Sequence, residues 1–278
     1  MDRVVRFMAG LGMDGVTILG VLGEGNRLVD AEREQVIAAA VKAAGTMPVC
    51  VGTSHSGTAA ARALSQMAEQ LGAAAVMIAP PEEFTLNEQR VFEHYRTVAE
   101  GIAIPIVAQD HPASSRVHMS VGLILRLIDE IPRIGCVKEE APPTPQKVAA
   151  LLSGMARRKV PLLQGLGALY GIFDLERGAH GFMTGFAFPE ALKAMVEAAH
   201  SENFAEARRV YTRFLPLIVF EQQPGPAIRK EIYRLRGLIG SNRVRQPGGT
   251  IDAATAAQLK VWLDAVLPGE DLTRKVKV

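Results

Sequence analysis

The chain reads as an α/β protein of the (β/α)8-barrel type, missing the first of its eight strands and carrying a C-terminal helical extension. Three observations predict this. Short β-branched, apolar runs alternate with helical stretches through residue 200, which makes parallel strands joined by right-handed crossovers. Seven strands are each followed by a helix, and an orphan helix precedes them as if its own strand were absent. From Asn203 onward the pattern is helical only. The expected division is therefore 1–200 for the barrel and 201–278 for the extension.

Asp2 to Gly10 sets Val4, Val5, Phe7 and Met8 on one face, as in an amphipathic helix ended by glycine. Gly15 to Leu19 is a strand running into the two-glycine loop Gly20-Val21-Leu22-Gly23-Glu24. Asp30 opens a helix through Ala44, and Met47 to Val51 is a strand. A helix from Ser56 to Leu71, a strand from Ala74 to Ile78, a Pro80-Pro81 loop and a helix from Leu86 to Glu100 follow. Next come strand Ile104 to Ala108, helix Met119 to Asp129, strand Ile134 to Lys138 and helix Pro145 to Ser153. Val160 to Leu163 and Gly181 to Thr184 are the last strands, with helices from Leu169 to Arg177 and from Pro189 to Ala199. The tail holds helices Asn203 to Phe220, Pro226 to Leu238 and Ala253 to Leu267. An open doubly wound sheet is the competing topology, but Gly20-x-x-Gly23 is not the GxGxxG dinucleotide fingerprint.

Hydrophobic residues make up 48% of the chain and the formal net charge is +2, which suits a well-cored globular protein and argues against nucleic-acid binding. The basic end (Arg274, Lys275, Lys277) is too short for a binding arm. No apolar run reaches the roughly 18 residues of a membrane span, and Met1-Asp2-Arg3 begins no signal peptide. Cys50 and Cys136 fall inside strands and read as buried free thiols in a reducing cytoplasm. No CxxC or HExxH motif occurs, so neither metal nor cofactor is expected.

The chemistry centres on Ile134-Gly-Cys-Val-Lys138-Glu-Glu140. Period-2 alternation puts Ile134, Cys136 and Lys138 on one strand face. A lysine there either snorkels out of the strand end or is paired or used; desolvation turns a lysine into a nucleophile for carbonyl carbon. The barrel reading favours use, because such sites lie at the C-terminal ends of strands. Gly20 to Glu24, Thr53 to His55, Ala79-Pro80, Gln109 to His111, Gln164-Gly165 and Thr184-Gly185 share that end.

The motifs Gly12-x-x-Gly15, Gly20-x-x-Gly23-Glu24, Lys138-Glu139 and Gly181-Phe-Met-Thr-Gly185, in this order and spacing, resemble the dihydrodipicolinate synthase/N-acetylneuraminate lyase family over essentially the whole chain. The resemblance implies a class I aldolase-type barrel, a homotetramer or homodimer, whose strand-end lysine forms a Schiff base with a 2-keto acid. Lys138 falls on that position, and Gly20, Val21, Leu22 and Gly23 fall where the family's backbone amides hold the substrate carboxylate. Val21 and Leu22 replace the family's two hydroxyl residues, Gln109 replaces its tyrosine, and Pro81-Glu82 replaces its Tyr-Tyr pair. The family's arginine aligns near Ser114, two residues before Arg116. The hydroxyl relay of dihydrodipicolinate synthesis is thus absent. The Gln109-Asp110-x-Pro112 motif, the Gly20 loop and Met183-Thr-Gly-Phe-Ala-Phe-Pro189 look most like 2-keto-3-deoxy sugar acid dehydratases, notably the 2-keto-3-deoxy-L-arabonate type.

The expected catalytic residues are Lys138 and Gln109, the latter orienting water or a substrate hydroxyl through its amide. Thr184 and Gly185 join the loop in substrate binding, with helix capping the alternative for Thr184. His111 and Glu82 are each either the missing acid–base or a loop residue. Glu24 pins its own loop, and Cys136, Met183 and Leu22 wall the lysine. The expected activity is water loss from a 2-keto-3-deoxy acid in the cytoplasm, the alternatives being aldol cleavage or condensation, or keto-acid binding without turnover. Seven strands are expected, with a gap between Val16–Leu19 and Phe182–Thr184; a gene start placed downstream of the true one would explain it.

Overall fold

The structure, a computed structural model, describes residues 1–83, 87–223 and 225–278. Helix α1 (Asp2–Gly10) leads into seven strands: β1 (Val16–Ile18), β2 (Val49–Gly52), β3 (Ala75–Ile78), β4 (Ile106–Asp110), β5 (Ile134–Glu139), β6 (Leu162–Gln164) and β7 (Gly181–Phe182). Between and after them stand α2 (Asp30–Ala44), α3 (Thr58–Gln70), α4 (Glu88–Ala99), the short α5 (Pro112–Ser115), α6 (Val121–Glu130), α7 (Thr144–Gly154), α8 (Gly171–Leu175) and α9 (Pro189–His200). The extension consists of α10 (Phe204–Gln222), α11 (Pro226–Leu235) and α12 (Ala253–Val266). Leu86, the expected start of α4, lies outside the described residues; Asn87 caps the helix by accepting the Arg90 N–H at 3.0 Å.

Adjacent strands all pair in parallel, in the order β1-β2-β3-β4-β5-β6-β7. The sheet is therefore open between β1 and β7, where the gap was expected. It is nonetheless curled: Cys50 on β2, Val107 on β4 and Met183 beyond β7 meet in one interior cluster with Met77 and Cys136, which a flat sheet would hold apart. The outer helical layer bridges the seam. Lys193 of α9 donates to the Gly12 carbonyl at 2.9 Å, and Arg236 stacks 4.7 Å from the Phe7 ring of α1.

Two apolar cores result. One lies between the strands and their helices from Val5 to Ala179. The other joins α8 and α9 to the extension through Phe186, Phe188 and Phe214, whose rings meet at 5.8–6.3 Å. At the end of α11, Arg236 forms an ion pair at 2.5 Å with Glu190 of α9, the side chains 0% and 1% exposed.

Differences from the sequence reading are local. Strand β7 stops at Phe182 rather than Thr184, and Gly20–Glu24 folds into a 3-10 turn over Val21–Gly23. Pro112, which fixes φ and lacks an N–H to lose, opens α5 where a plain loop was expected.

A buried histidine carries a pH consequence. His94 bonds through Nδ1 to the Thr58 hydroxyl at 2.9 Å, and burial, aided by His55, pushes its imidazole down to about 4. The unfolded chain binds this proton near pH 6.5, so stability is lost as pH falls from about 6.5 towards about 4. His94→Asn is expected to flatten a plot of melting temperature against pH over that interval; an unchanged slope counts against the assignment.

Candidate active site

Strands β4 and β5 build the site between them. Their register sets Gln109 beside Lys138 and Asp110 beside Glu139. Alternation then sends Gln109 and Lys138 into the interior and Asp110 and Glu139 outward against α7. The interior pair meets at Glu140. Its Oε2 accepts the Gln109 amide at 2.6 Å and sits 3.0 Å from Lys138 Nζ, while Oε1 accepts the Leu166 N–H at 2.9 Å. A Cβ at Gly165 would overlap the Glu140 carboxylate, so the bare backbone there makes room for it. Burial pushes the Glu140 carboxyl up, but the charges of Lys138 and His111 and the hydrogen bonds from Gln109 and Leu166 outweigh it and hold it below the usual range.

Lys138 is 8% exposed, so it does not snorkel. Its ammonium is ion-paired rather than walled by apolar groups alone. Leu22, expected in that wall, is 38% exposed at the rim, whereas Cys136 and Met183 do line the interior. The thiols Cys50 and Cys136 lie at this floor, both pushed up to about 12 by burial. They are protonated and inert.

His111, the next inward position after Gln109, bonds through Nδ1 to the Ser114 hydroxyl at 2.8 Å. Burial, with the Lys138 charge, holds its imidazole below its ordinary range against the opposing pull of Glu140 and Asp110. His111 thus feels the site electrostatically. Glu82 does not reach it: this side chain pairs with Arg116 at 3.4 Å in solvent, the arginine 80% exposed.

The remaining expected residues frame the mouth. Gly20 and Val21 carbonyls accept the Gly23, Glu24 and Gly25 N–H groups at 2.9–3.4 Å, which leaves the Val21 and Leu22 N–H groups outside these turn bonds. Glu24 pins the loop differently from expectation. Its carboxylate accepts the Arg245 N–H at 2.7 Å and pairs with Lys230, both in the extension. Thr184 accepts the Gly167 N–H at 2.7 Å, bracing the loop after β6 instead of capping α9, whose cap is Phe188. The Gly185 carbonyl accepts from Arg229, and a Cβ at 185 would strike that guanidinium. Among the described residues no cluster of three or more His, Cys, Asp or Glu could hold a metal ion, and no helix is long and apolar enough to cross a membrane.

Sequence reasoning missed Glu140 as a site residue. The signal is there: it lies two residues beyond Lys138, on the same face, but the apolar run ends at the lysine whereas the strand continues to Glu139.

A buried strand-end lysine, paired to a carboxylate at the open end of a parallel α/β sheet, is the mark of a class I aldolase-type lyase. Comparison with known proteins agrees. The chain belongs to the Dihydrodipicolinate synthetase family, whose profile matches residues 1–266. It is 36% identical over 262 residues to L-2-keto-3-deoxyarabonate dehydratase of Azospirillum brasilense, covering 92% of this chain and 84% of that one. It is 30% identical over 249 residues to 4-hydroxy-tetrahydrodipicolinate synthase of Chlorobium phaeovibrioides, covering 84% and 83%. The crystal structure of dihydrodipicolinate synthase from Rhodopseudomonas palustris superimposes with a TM-score of 0.89 at 34% identity, over 95% of this chain and 90% of that one.

Proposed function

We propose that the protein is a Schiff-base-forming dehydratase of a 2-keto-3-deoxy sugar acid. The observation that carries the reading is the Glu140 carboxylate, 3.0 Å from the Lys138 ammonium and 2.6 Å from the Gln109 amide. Glu140 accepts the lysine's proton, and the free amine attacks the C2 carbonyl of the keto acid. Loss of water leaves an iminium that draws electrons from C3. Glu140, its proton passed to the departing water, removes a proton from C3. The electron pair flows into the iminium nitrogen, and the resulting enamine expels the C4 hydroxyl as water as Glu140 hands the C3 proton to that oxygen. Gln109 fixes Glu140 and cannot itself supply a titrating proton. The Val21 and Leu22 amides hold the substrate carboxylate, with the apolar side chains of the same residues at the rim. The similarity to an L-2-keto-3-deoxyarabonate dehydratase supports the choice of dehydration, and the hydroxyl residues missing at 21, 22, 81, 82 and 109 speak against the synthase reaction.

Borohydride reduction in the presence of pyruvate is expected to place a covalent adduct on Lys138 of the folded protein, found by peptide mass spectrometry, and Lys138→Ala to abolish it. L-2-keto-3-deoxyarabonate and its stereoisomers should then lose water without releasing pyruvate. Pyruvate release from these acids would replace dehydration by aldol cleavage.

A further inference from the structure

Behind the reactive strand lies a group of charges the reaction scheme does not use. Asp110 and Glu139, neighbours in register on the outer face of β4 and β5, are both 0% exposed. Adjacent strands lie about 4.8 Å apart, so two ionised carboxylates side by side would repel. Among the described residues a single cation pairs with them: Lys147 of α7 pairs with Asp110, stands 3.7 Å from Glu139 and donates to the Met119 carbonyl at 2.8 Å. Facing Glu139 are thus Asp110 from β4, Lys147 from α7, Glu140 along its own chain and the neutral Gln164 from β6. Two buried acids under one ammonium leave an uncompensated negative charge unless one acid keeps a proton.

The geometry points to Glu139 as a positioning residue that keeps a proton beside the buried Asp110 and so keeps the ends of β4 and β5 together where Gln109 meets Glu140. The inference rests on the dehydratase reading, because it concerns the alignment of that reading's groups. Burial and Asp110, against the pull of Lys147, push the Glu139 carboxyl up to about 8. The acid therefore holds its proton at neutral pH and gives it up as the solution turns alkaline. Ionisation sets like charges opposite one another on paired strands and draws Gln109 away from Glu140.

The test follows turnover of L-2-keto-3-deoxyarabonate from pH 7 to pH 9 in the wild type, Glu139→Gln and Asp110→Asn. The wild type is expected to lose about tenfold in kcat. Glu139→Gln, an isostere of the protonated acid, keeps the pH 7 rate within about twofold and loses the step. Asp110→Asn loses the same step, because Glu139 then has the ammonium to itself. A wild-type step that survives in both variants overturns the proposal. A second arm needs no substrate. The unfolded glutamate ionises near pH 4.5 and the folded one near 8, so Glu139 costs the wild type stability progressively as pH rises from about 4.5 to about 8, and no further above that. The excess melting temperature of Glu139→Gln should grow over that window and then stay level. The contributions of Asp174 and Glu221, whose carboxyls burial also pushes up, are common to both proteins and cancel. A difference that does not change with pH overturns the proton on Glu139. Absence of wild-type turnover at every pH overturns the dehydratase reading, and the stability arm then decides the proton by itself.

Discussion

Glu140→Gln is expected to lower kcat by about 10²- to 10⁴-fold, the range for removing a general acid–base group, while borohydride still traps a pyruvate adduct on Lys138. The glutamine has nearly the same volume and can accept the Leu166 N–H, and Gln109 can turn its amide over to meet the new side chain. What disappears is a carboxylate able to take and return protons 3.0 Å from Lys138. The adduct separates this effect from loss of the fold, since only a properly built site forms the imine. Slower imine formation with a larger loss in the later steps would place Glu140 at the C3 proton as well as at the lysine. Turnover within a few-fold of wild type would sink the role and return attention to His111, whose imidazole interacts with the charges of Glu140 and Lys138.

The second large effect is thermodynamic. Arg236→Met is expected to destabilise the protein by about 3–5 kcal/mol, the cost of leaving one partner of a buried ion pair uncompensated. Arg236 holds more than Glu190. It donates to the carbonyls of Ala187 at 2.7 Å, Leu272 at 3.2 Å and Arg274 at 3.1 Å, and its guanidinium lies 5.0 Å from the Phe188 ring. Glu190 in turn accepts the Val276 N–H at 3.2 Å. The substitution therefore loosens the C-terminal segment from α9 as well as exposing a lone charge to the core. Urea denaturation measures the loss. Adding Glu190→Leu to Arg236→Met should recover part of it, because removing both charges relieves the penalty that removing one creates. If the double variant is no more stable than the single, the interaction is packing rather than charge.

Most of the architecture was legible because it is written in short-range periodicity. Seven apolar runs of strand length between helical stretches define the parallel sheet, and alternation from Cys136 to Lys138 points the lysine inward, whereas a register shift at the start of β5 turns Ile134, expected on that face, into the outer core. The same alternation, carried two residues further, points Glu140 inward; a strand end judged by its apolar run alone hid it. Other parts of the site have no local signature. Glu24 grips Lys230 and Arg245, more than 200 residues away, and Thr184 braces Gly167 across a different loop. Such partners are far apart in sequence and meet only in the folded chain. The charge balance behind the lysine was hidden for a related reason: Asp110, Glu139 and Lys147 are ordinary surface residues by composition until the helix covers the strands.

The open seam between β1 and β7 bears on how the molecule loosens. Fraying of a sheet begins at strands with a partner on one side only. Here these are the two outermost strands, and the chemistry sits near the middle: β4 has three strands on either side, and β5 has four on one and two on the other. Amide exchange should therefore be fastest along Val16–Ile18 and Gly181–Phe182 and slowest around Gln109 and Lys138. Gln109 and Lys138 thus stand on strands paired on both sides.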